Sequence, residues 1–481
     1  MTSSDARAAG PHSPLRRWQA MFNLRRGEAV PVLIAACFFF FVLTALMLLR
    51  PARDALGMER GIDSIRWLFI GTALVTLAVN PAFGWLVSRL RRLHFIAATY
   101  GFFIVGLVGF WALLTFAPEA VGQRSGQVFY VWFSVFNLFA TMVFWALMSD
   151  RFTSDQGARF FALVSIGGTL GAIVGPWLTS RLAEPLGTPS LLLVSAGFLS
   201  LGLLTAWLLV RIAPDRTGTS GVHAPAFPDE AERIGGSMWA GVRSVVRSPF
   251  LSGIAGYVLL MAVMATLVYF TRMQMVAEVA EGTDARAALL GSIDMWTQIA
   301  VLVLQLTLTG RFIKRFGLGV ALAILPLATA LGFLGLAIYG SFVLLVLLEA
   351  ANRAVQRGIT RPVREVLFTV VAREDKYKAK AFIDTFVYRA GDVVGAQAEG
   401  ALGRIGLALG GLVSVVVPLA LFWAALALWL GRAHARRVSQ ASQRPIGEHG
   451  RESVAHDEAR EASPSMPASP ARSAVIGPAQ G

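Results

Sequence analysis

Cysteine and histidine are both scarce in this chain of 481 residues, and their positions exclude whole classes of site. The single cysteine, Cys37, lies inside the first long apolar stretch, so neither an internal disulfide framework nor a cysteine-based metal site is available. The six histidines all fall in tails or connectors: His12, His94, His223, His434, His449 and His456. Histidines in separate tails and connectors are not expected to meet in one catalytic or metal-binding site. We therefore expect a protein that is not an enzyme and that uses no metal or other cofactor.

Charged residues are also few, at 15% of the chain, whereas 55% of the residues are hydrophobic and the mean hydropathy is +0.61. No soluble domain needs that much apolar surface, so the composition predicts a protein embedded in a lipid bilayer. The formal net charge is +14, but the basic residues are dispersed among short connectors. We therefore expect no nucleic-acid partner, and we interpret the positive charge as a determinant of topology and an attraction for anions.

Twelve apolar stretches are each long enough to supply the roughly 20 residues that cross a bilayer. They lie at about 29–56, 65–88, 94–117, 128–149, 160–181, 189–211, 249–272, 287–310, 318–338, 341–364, 380–402 and 406–431. The pattern predicts an all-α polytopic membrane protein with about 12 transmembrane helices in two six-helix bundles. We place the bundles at 29–211 and 249–431, a cytoplasmic connector at 212–248, a cytoplasmic tail at 1–28 and a disordered cytoplasmic tail at 432–481.

Basic residues predict the orientation of these spans. Arg26 precedes the first span, Arg89 follows the second, Arg315 follows the eighth and Arg432 follows the twelfth. These connectors share one compartment with both ends of the chain. Because positively charged connectors are retained in the cytoplasm, we expect both termini to be cytoplasmic.

An internal repeat supports the two-bundle division. Gly84-Trp-Leu-Val-Ser-Arg-Leu90 after the second span is echoed by Gly310-Arg-Phe-Ile-Lys-Arg-Phe316 after the eighth. This spacing resembles the Gly-x-Leu-x-Asp-Arg signature of the major facilitator superfamily, with Ser88 and Lys314 in place of its acid. A basic turn with a close-packing glycine would explain most of the pattern in either loop alone. Because the motif follows the second span of each half, the resemblance is favoured over a basic turn alone.

A second motif occurs at the ends of two spans. Arg50-Pro-Ala-Arg53-Asp54 in the first span matches Arg361-Pro-Val-Arg364-Glu365 in the tenth. Each copy places two arginines three residues apart with an acid four residues after the first, which allows local pairing and leaves cationic donors available. One interpretation is that these arginines and acids form a gate or structural ion pairs. The other is that these arginines merely extend toward the membrane interfaces.

Polar residues form a stripe along the tenth span. At roughly 100° per residue they share one helical face: Glu349, Arg353, Gln356, Arg357, Thr360, Arg361 and Arg364. Charged side chains inside a bilayer are energetically costly, and they persist where they face a water-filled path or a polar ligand. We expect Arg353 and Arg357 to bind an anion. Glu349, and Asp294 in the eighth span, are candidates for coupling a proton.

The start of the eleventh span gathers three of the four lysines of the chain, Lys376, Lys378 and Lys380. The chain otherwise uses arginine for positive charge, so lysines clustered here suggest a need for a compact, rotatable ammonium instead of a planar guanidinium. We therefore add Lys380 to the anion-binding residues. An inside-facing basic loop is the alternative. Further along the eleventh span, an ion pair of Arg389 with Asp384 or Asp392 is favoured over contact with a ligand. The residues assigned to a gate or to ion pairs are Arg50, Asp54, Arg361, Arg364, Glu365, Asp384 and Arg389.

These motifs together resemble the non-mitochondrial ATP/ADP translocases, the nucleotide transporters of plastids and obligate intracellular bacteria. The match covers most of residues 30–430. Arg50-Pro-Ala-Arg53-Asp54-Ala-Leu56 is similar to the Arg-Asp-x-Lys-Asp-x-Leu pattern of that family, with Arg53 at the lysine implicated in transport. Lys376-Tyr-Lys-Ala-Lys-Ala-Phe-Ile-Asp384 is similar to its Lys-x-Lys-x-Lys-x-x-Ile-Asp element. The resemblance implies nucleotide transport and a bacterial inner membrane.

Two positions depart from the family. Its exchangers carry membrane glutamates in the fourth and seventh spans, where an ungapped alignment places Phe133 and Tyr269 in this chain. The loss of two acids makes a cavity more positive, which favours a strongly anionic substrate or a different ion coupling.

We therefore predict a secondary active transporter, working as a monomer, that moves a small anionic solute by alternating access. The solute is a nucleotide, another phosphorylated compound or another anion. Arg53, Arg353, Arg357 and Lys380 would bind it. A transporter-like sensor or assembly protein without transport activity is the alternative.

Overall fold

The computed structural model describes residues 28–89, 92–117, 119–212, 238–308, 312–371, 373–405 and 409–442. Residues 1–27 and 443–481 of the predicted tails, most of the predicted connector, Leu90 of the first repeat loop, and Gly310 and Arg311 of the second lie outside these ranges. Met1–Gly431 forms one compact unit; of the second unit, Arg432–Gly481, the structure describes residues 432–442, which are helical. The described elements are helices.

The first bundle consists of six long helices. They are α1 (Ala29–Met58), α2 (Ile62–Arg89), α3 (Arg92–Phe116), α4 (Glu119–Arg151), α5 (Ser154–Leu186) and α6 (Ser190–Ile212). A capping box starts α5, because Thr153 Oγ1 accepts from the Gln156 backbone N–H while the Gln156 side chain accepts from the Thr153 N–H.

The second bundle follows a short amphipathic helix, α7 (Met238–Arg247). Its first three spans are α8 (Pro249–Val279), α9 (Thr283–Leu308) and α10 (Phe312–Tyr339). The tenth span comprises α11 (Phe342–Val355), a π-helical turn at Gln356–Thr360 and α12 (Arg361–Leu367). The eleventh comprises α13 (Arg373–Phe382), a π-helical turn at Ile383–Val387 and α14 (Tyr388–Arg404), and the last helix is α15 (Leu409–Ser442).

Each of the twelve predicted spans corresponds to a helix or to a helix interrupted by a π turn. Among the described helices, ten are long and apolar enough to cross a membrane by length and composition. The tenth and eleventh spans do not meet that criterion, because π-helical turns divide each of them into helices shorter than 18 residues. The predicted limits of the seventh span were too short: α8 continues to Val279, so Arg272 lies well inside the helix.

Close packing fixes the position of α1 in the first bundle. A Cβ atom on Gly167 of α5 would lie 2.1 Å from the carbonyl oxygen of Ala36, and one on Gly175 would lie 2.7 Å from the backbone nitrogen of Leu48. The two helices therefore touch backbone to backbone, as small residues allow between membrane helices. This contact runs from Ala36 to Leu48 and holds the middle of α1 against α5.

The two bundles are joined near the end of α1. We call the two faces of the helical array the Ala29 side, where α1 begins, and the Met58 side, where α1 ends. Arg66 of α2 pairs with Glu399 of α14 at 2.8 Å, and Thr283 of α9 donates to Glu59 at 2.9 Å. These contacts lie on the Met58 side.

Candidate functional site

The second half of α1 brings Arg50, Arg53 and Asp54 to the boundary between the bundles. Asp54 is fully buried, and Arg53 Nε donates to its Oδ1 at 2.9 Å. The Arg53 guanidinium also lies over the Tyr130 ring, 4.4 Å from its centroid, in a cation–π contact. The sequence motif therefore does not end at a membrane interface, because its charged groups point into the protein.

Arg272 of α8 lies at the centre of the site and was missed by the sequence analysis. Its side chain is 1% exposed, and its Nη2 lies 2.9 Å from Asp54 Oδ2 in the other bundle. Its Nη1 donates to Asp294 Oδ1 at 2.9 Å, and its Nε lies 3.4 Å from Glu349 Oε1. The signal that could have found it is an arginine that follows a long apolar run and is itself followed by further apolar residues, among them Met273, Met275 and Val276.

The eighth and tenth spans supply the two remaining acids and a further arginine. Arg353 Nη2 donates to Glu349 Oε2 at 2.8 Å, one helical turn away, and to Asp294 Oδ1 at 3.1 Å on the neighbouring helix. Both acids are almost completely buried. Arg353 is eleven residues from the start of α11, or ~16 Å along its axis, which is near the middle of a bilayer core of ~30 Å.

We call these residues the central ion cluster: Arg50, Arg53, Asp54, Arg272, Asp294, Glu349 and Arg353. Four guanidiniums against three carboxylates leave one positive charge. Arg50 is the least satisfied arginine, since its Nε lies 3.8 Å from Asp294 Oδ2 and 27% of its side chain is exposed. Arg353 Nη1 is buried, and no described residue accepts a hydrogen bond from it. The cluster therefore retains cationic donors that its own acids do not use.

A cavity of about 300 Å³ lies beside the cluster, which we call the central cavity. Arg50, Arg53, Arg272 and Arg353 line it, together with Glu349. Its polar and aromatic wall also includes Thr72, Tyr130, Ser134, Tyr269, Asn352, Gln356, Arg389 and Asp392. Residues of both bundles contribute, so a molecule in this cavity would contact both.

A second cavity of about 370 Å³ shares Gln356 with the central cavity and lies farther toward the Ala29 side. We call it the arginine cavity, because Arg357, Arg361 and Arg364 line it with one acid, Asp384. Arg364 Nη2 lies 3.0 Å from Asp384 Oδ1. Three arginines and one carboxylate leave two positive charges in this cavity.

The polar stripe of the tenth span is thus divided between two cavities. Glu349 and Arg353 face the central cavity, and Arg357, Thr360, Arg361 and Arg364 face the arginine cavity. The π-helical turn at Gln356–Thr360 falls between them and widens the helix at this point. The π-helical turn of the eleventh span contributes Asp384 to the same cavity.

Two further predicted residues each form an ion pair outside the central ion cluster. Lys380 Nζ bonds Glu365 Oε2 at 2.6 Å, with 33% and 46% of the two side chains exposed, and it does not line either of these cavities. Arg389 pairs with Asp392 at 3.3 Å and lines the central cavity. The structure therefore brings Arg53 and Arg353 together, places Arg357 one cavity away and separates Lys380 from them.

The two positions that depart from the translocase pattern both belong to the site. Tyr269 donates to Asp54 Oδ1 at 3.0 Å, and its hydroxyl lies 3.1 Å from that of Tyr130. Phe133 lies beneath Arg53, whose guanidinium is 5.3 Å from the ring centroid. Uncharged aromatic rings therefore contact the cluster where acids would reduce its positive charge.

Twelve membrane-spanning helices in two bundles, with a buried charged cavity between them, define a membrane transporter. A model described as the Major Facilitator Superfamily matches residues 32–348, which is more than half of the chain. The chain belongs to the major facilitator superfamily. The predicted all-α, two-bundle fold is therefore confirmed.

Similar proteins are carriers of small molecules. The chain is 23% identical to the "ADP,ATP carrier protein 2" of Chlamydia pneumoniae over 92% of its own length and 94% of that protein. It is 24% identical to the "ADP,ATP carrier protein 1" of Chlamydia muridarum (strain MoPn / Nigg) over 68% and 66% of the two chains. The predicted resemblance to this nucleotide transporter family is confirmed.

A solved structure supports the fold alone. The crystal structure of a mutant of the peptide transporter POT in complex with sulfate has a TM-score of 0.59 to this chain, at 13% sequence identity, and covers 83% of this chain and 95% of that one. Sequence has diverged while the helical arrangement is retained.

Proposed function

We propose that this transporter moves a small anionic solute by alternating access, with the central cavity as its binding site. The observation that carries the proposal is the excess of guanidinium groups beside this cavity. Arg50 is partly exposed, and Arg353 keeps a buried donor that has no partner among the residues that the structure describes. The three carboxylates leave one of the four arginine charges uncompensated. An anion entering the cavity would supply the missing negative charge.

A phosphorylated solute fits this site best. Guanidiniums bind phosphate oxygens in pairs, and the arginine cavity adds two further positive charges along the same path. An extended polyanion could therefore contact both cavities across Gln356. The relatives named as ADP,ATP carriers support a nucleotide as the first candidate.

Asp54 couples solute binding to the contact between the bundles. Arg53 of its own helix and Arg272 of the other bundle both bond this carboxylate. An anion that attracts either arginine competes with Asp54, so binding changes the strength of an inter-bundle contact. The contacts at Arg66–Glu399 and Thr283–Glu59 join the bundles at the Met58 side, and we propose that they break in an alternate conformation that opens this side.

We further propose that the protein resides in a bacterial inner membrane with both termini in the cytoplasm. The Ala29 side then faces the cytoplasm, and the arginine cavity is its solute entrance. The domain limits proposed from the sequence, and a monomeric state in which each chain carries its own cavity, belong to the same proposal. The alternative of a transporter-like sensor is not favoured by relatives that are carriers.

Reconstitution tests the proposal. Purified protein in liposomes is assayed with labelled nucleotides, phosphorylated metabolites and organic acids, with and without the same compound inside. We expect saturable uptake of at least one phosphorylated compound that Arg353→Gln abolishes while the folded protein is retained. Uptake of none of these anions would contradict anion transport, and normal uptake by Arg353→Gln would contradict the assignment of the cavity.

A further inference from the structure

A third concavity lies on the outside of the first bundle, away from the central ion cluster. It is a groove of about 1150 Å³, against about 300 Å³ for the central cavity. Single faces of three helices form it: Leu68 and Val75 from α2, Phe102 and Phe103 from α3, and Val128 and Trp132 from α4. Val75, Phe102 and Val128 are exposed and face the lipid phase in a membrane-spanning protein.

One end of this apolar groove is cationic. Arg60, just before α2, and Arg124, in the second turn of α4, both line it at the Met58 side. Arg60 Nη1 donates to Gln127 Oε1 at 3.3 Å, which holds this guanidinium beside the groove. Within the described residues, neither arginine forms an ion pair with an acid. The end of the groove therefore presents two cationic groups at the level where lipid headgroups lie.

The groove has the length of an acyl chain in one leaflet. Its α4 face extends from Gln127 to Phe139, or ~18 Å along the helix axis, and half of a ~30 Å hydrocarbon core is ~15 Å. A hydrocarbon chain with a phosphate at one end matches both this length and the change from apolar to cationic lining. A solute without a hydrocarbon chain would leave the apolar part unfilled.

The floor of the groove is built by specific packing. Trp132 lies directly against Gly106 of α3, where a Cβ atom would be 2.6 Å from the indole Cζ2. Phe103 meets the same indole edge to face, with 5.4 Å between the ring centroids. Because Gly106 has no side chain, the Trp132 indole packs deep between α3 and α4. The groove over the indole therefore stays open.

We propose that this groove binds one anionic phospholipid, with an acyl chain along α2, α3 and α4 and the phosphate between Arg60 and Arg124. Charge complementarity selects the anionic headgroup, and burial of the chain against aliphatic and aromatic side chains supplies apolar contact. The opposite faces of α2 and α4 carry Ala73 and Tyr130 of the central cavity. The lipid therefore supports, from outside, two helices that line the transport path.

Native mass spectrometry of the purified chain tests the site. Delipidated protein is titrated with phosphatidylglycerol, with phosphatidylcholine of the same acyl chains, and with glycerol 3-phosphate. We compare the unsubstituted chain with Arg60→Gln/Arg124→Gln, which removes the cationic end, and with Ala98→Phe, which fills the groove. The matched control is Arg404→Gln, an exposed arginine at the same membrane side and outside the groove.

We expect one phosphatidylglycerol to be retained per chain, and the double arginine variant to weaken its binding at least about ten-fold, as loss of charge-assisted hydrogen bonds to phosphate predicts. Phosphatidylcholine should bind the unsubstituted chain more weakly than phosphatidylglycerol does, and Ala98→Phe should retain less phosphatidylglycerol. Arg404→Gln should bind as the unsubstituted chain does. Glycerol 3-phosphate should not bind. Equal binding of phosphatidylglycerol to the double variant, or binding of glycerol 3-phosphate with the same affinity, would overturn the proposal.

A photoreactive acyl chain gives a second measurement that does not depend on any substitution. Phosphatidylglycerol carrying a diazirine on its acyl chain is cross-linked to the unsubstituted chain, and the labelled peptides are identified. We expect labelling of α2, α3 and α4 in excess over the other helices. Labelling spread evenly over lipid-facing helices would contradict a specific groove.

Discussion

Arg272 and Asp54 form an ion pair of 2.9 Å that joins the two bundles at the centre of the protein. Arg272 belongs to α8 and Asp54 to α1, and both side chains are at most 1% exposed. The same guanidinium bonds Asp294, so one arginine compensates acids from both halves of the chain. Buried charges are tolerated when they are paired in this way.

Arg272 should therefore be essential for stability. Arg272→Gln leaves three buried carboxylates with less compensation, and we expect a loss of ~3–5 kcal/mol in the free energy of unfolding. Chemical denaturation in detergent measures it. Adding Asp54→Asn to this variant removes one unpaired acid, so the double variant should recover part of the loss. If Arg272→Gln unfolds at the same denaturant concentration as the unsubstituted chain, the pairing does not stabilise the fold.

Arg353 and Lys380 should behave differently in transport. Arg353 lines the central cavity, so Arg353→Gln should lower the uptake rate by at least about ten-fold, the effect of ~1.4 kcal/mol of lost interaction with the solute. Lys380 pairs with Glu365 at a partly exposed position, so Lys380→Gln should change uptake less than about three-fold. Initial uptake rates in liposomes with equal amounts of protein compare the two. A larger loss in Lys380→Gln than in Arg353→Gln would place the solute elsewhere.

A carboxylate at position 133 should weaken anion binding. Phe133 lies beneath Arg53, and Phe133→Glu would give this guanidinium a second acid beside Asp54. We expect the half-saturation concentration for the anion to rise at least about ten-fold. Phe133→Gln is the control, because it has nearly the same shape as glutamate without the charge. The prediction fails if the two variants shift the half-saturation concentration equally.

Glu59 should make stability depend on pH. Burial at the Met58 side raises the pKa of Glu59 above its ordinary value of 4.5, the hydrogen bond from Thr283 opposes this shift, and Asp284 adds to it. The folded chain then holds this proton more tightly than the unfolded chain does. The contribution of Glu59 to stability is therefore present at low pH and decreases as the pH rises from about 4.5 through the raised pKa.

Thermal unfolding of the unsubstituted chain and of Glu59→Gln between about pH 4 and 8 checks this sign. Glutamine keeps an oxygen that accepts from Thr283 but cannot ionise. The melting temperature of the unsubstituted chain should decrease relative to that of Glu59→Gln across the acidic part of the range. Parallel profiles would show that Glu59 does not titrate differently in the folded and unfolded chains.

Sequence patterns predicted the helices well because each span requires many apolar residues in a row. The twelve stretches were located from hydropathy, and each corresponds to a described helix or interrupted helix. Their ends were less predictable. The seventh span was predicted to end at Arg272, whereas α8 continues to Val279. An arginine can remain inside a span when acids from other helices neutralise it, and these acids are distant in sequence.

The candidate site was predicted in part. The arginines of the first and tenth spans were identified because charge is costly in an apolar segment, and Arg53 and Arg353 do line one cavity. The sequence also placed Arg357 and Lys380 with them. A helical projection assumes a regular rotation per residue, and the π-helical turns at 356–360 and 383–387 change that rotation. The division into two cavities therefore could not be read from the projection.

By itself, the sequence determined that this is a membrane protein of twelve spans with cationic residues at unusual depth, because hydrophobicity and the cost of charge act locally along the chain. Only the tertiary structure decided which charges meet. Asp54, Arg272, Asp294 and Glu349 come from four different helices, and their pairing depends on how the two bundles pack. That packing leaves one positive charge beside a cavity, and it is this surplus that favours an anion.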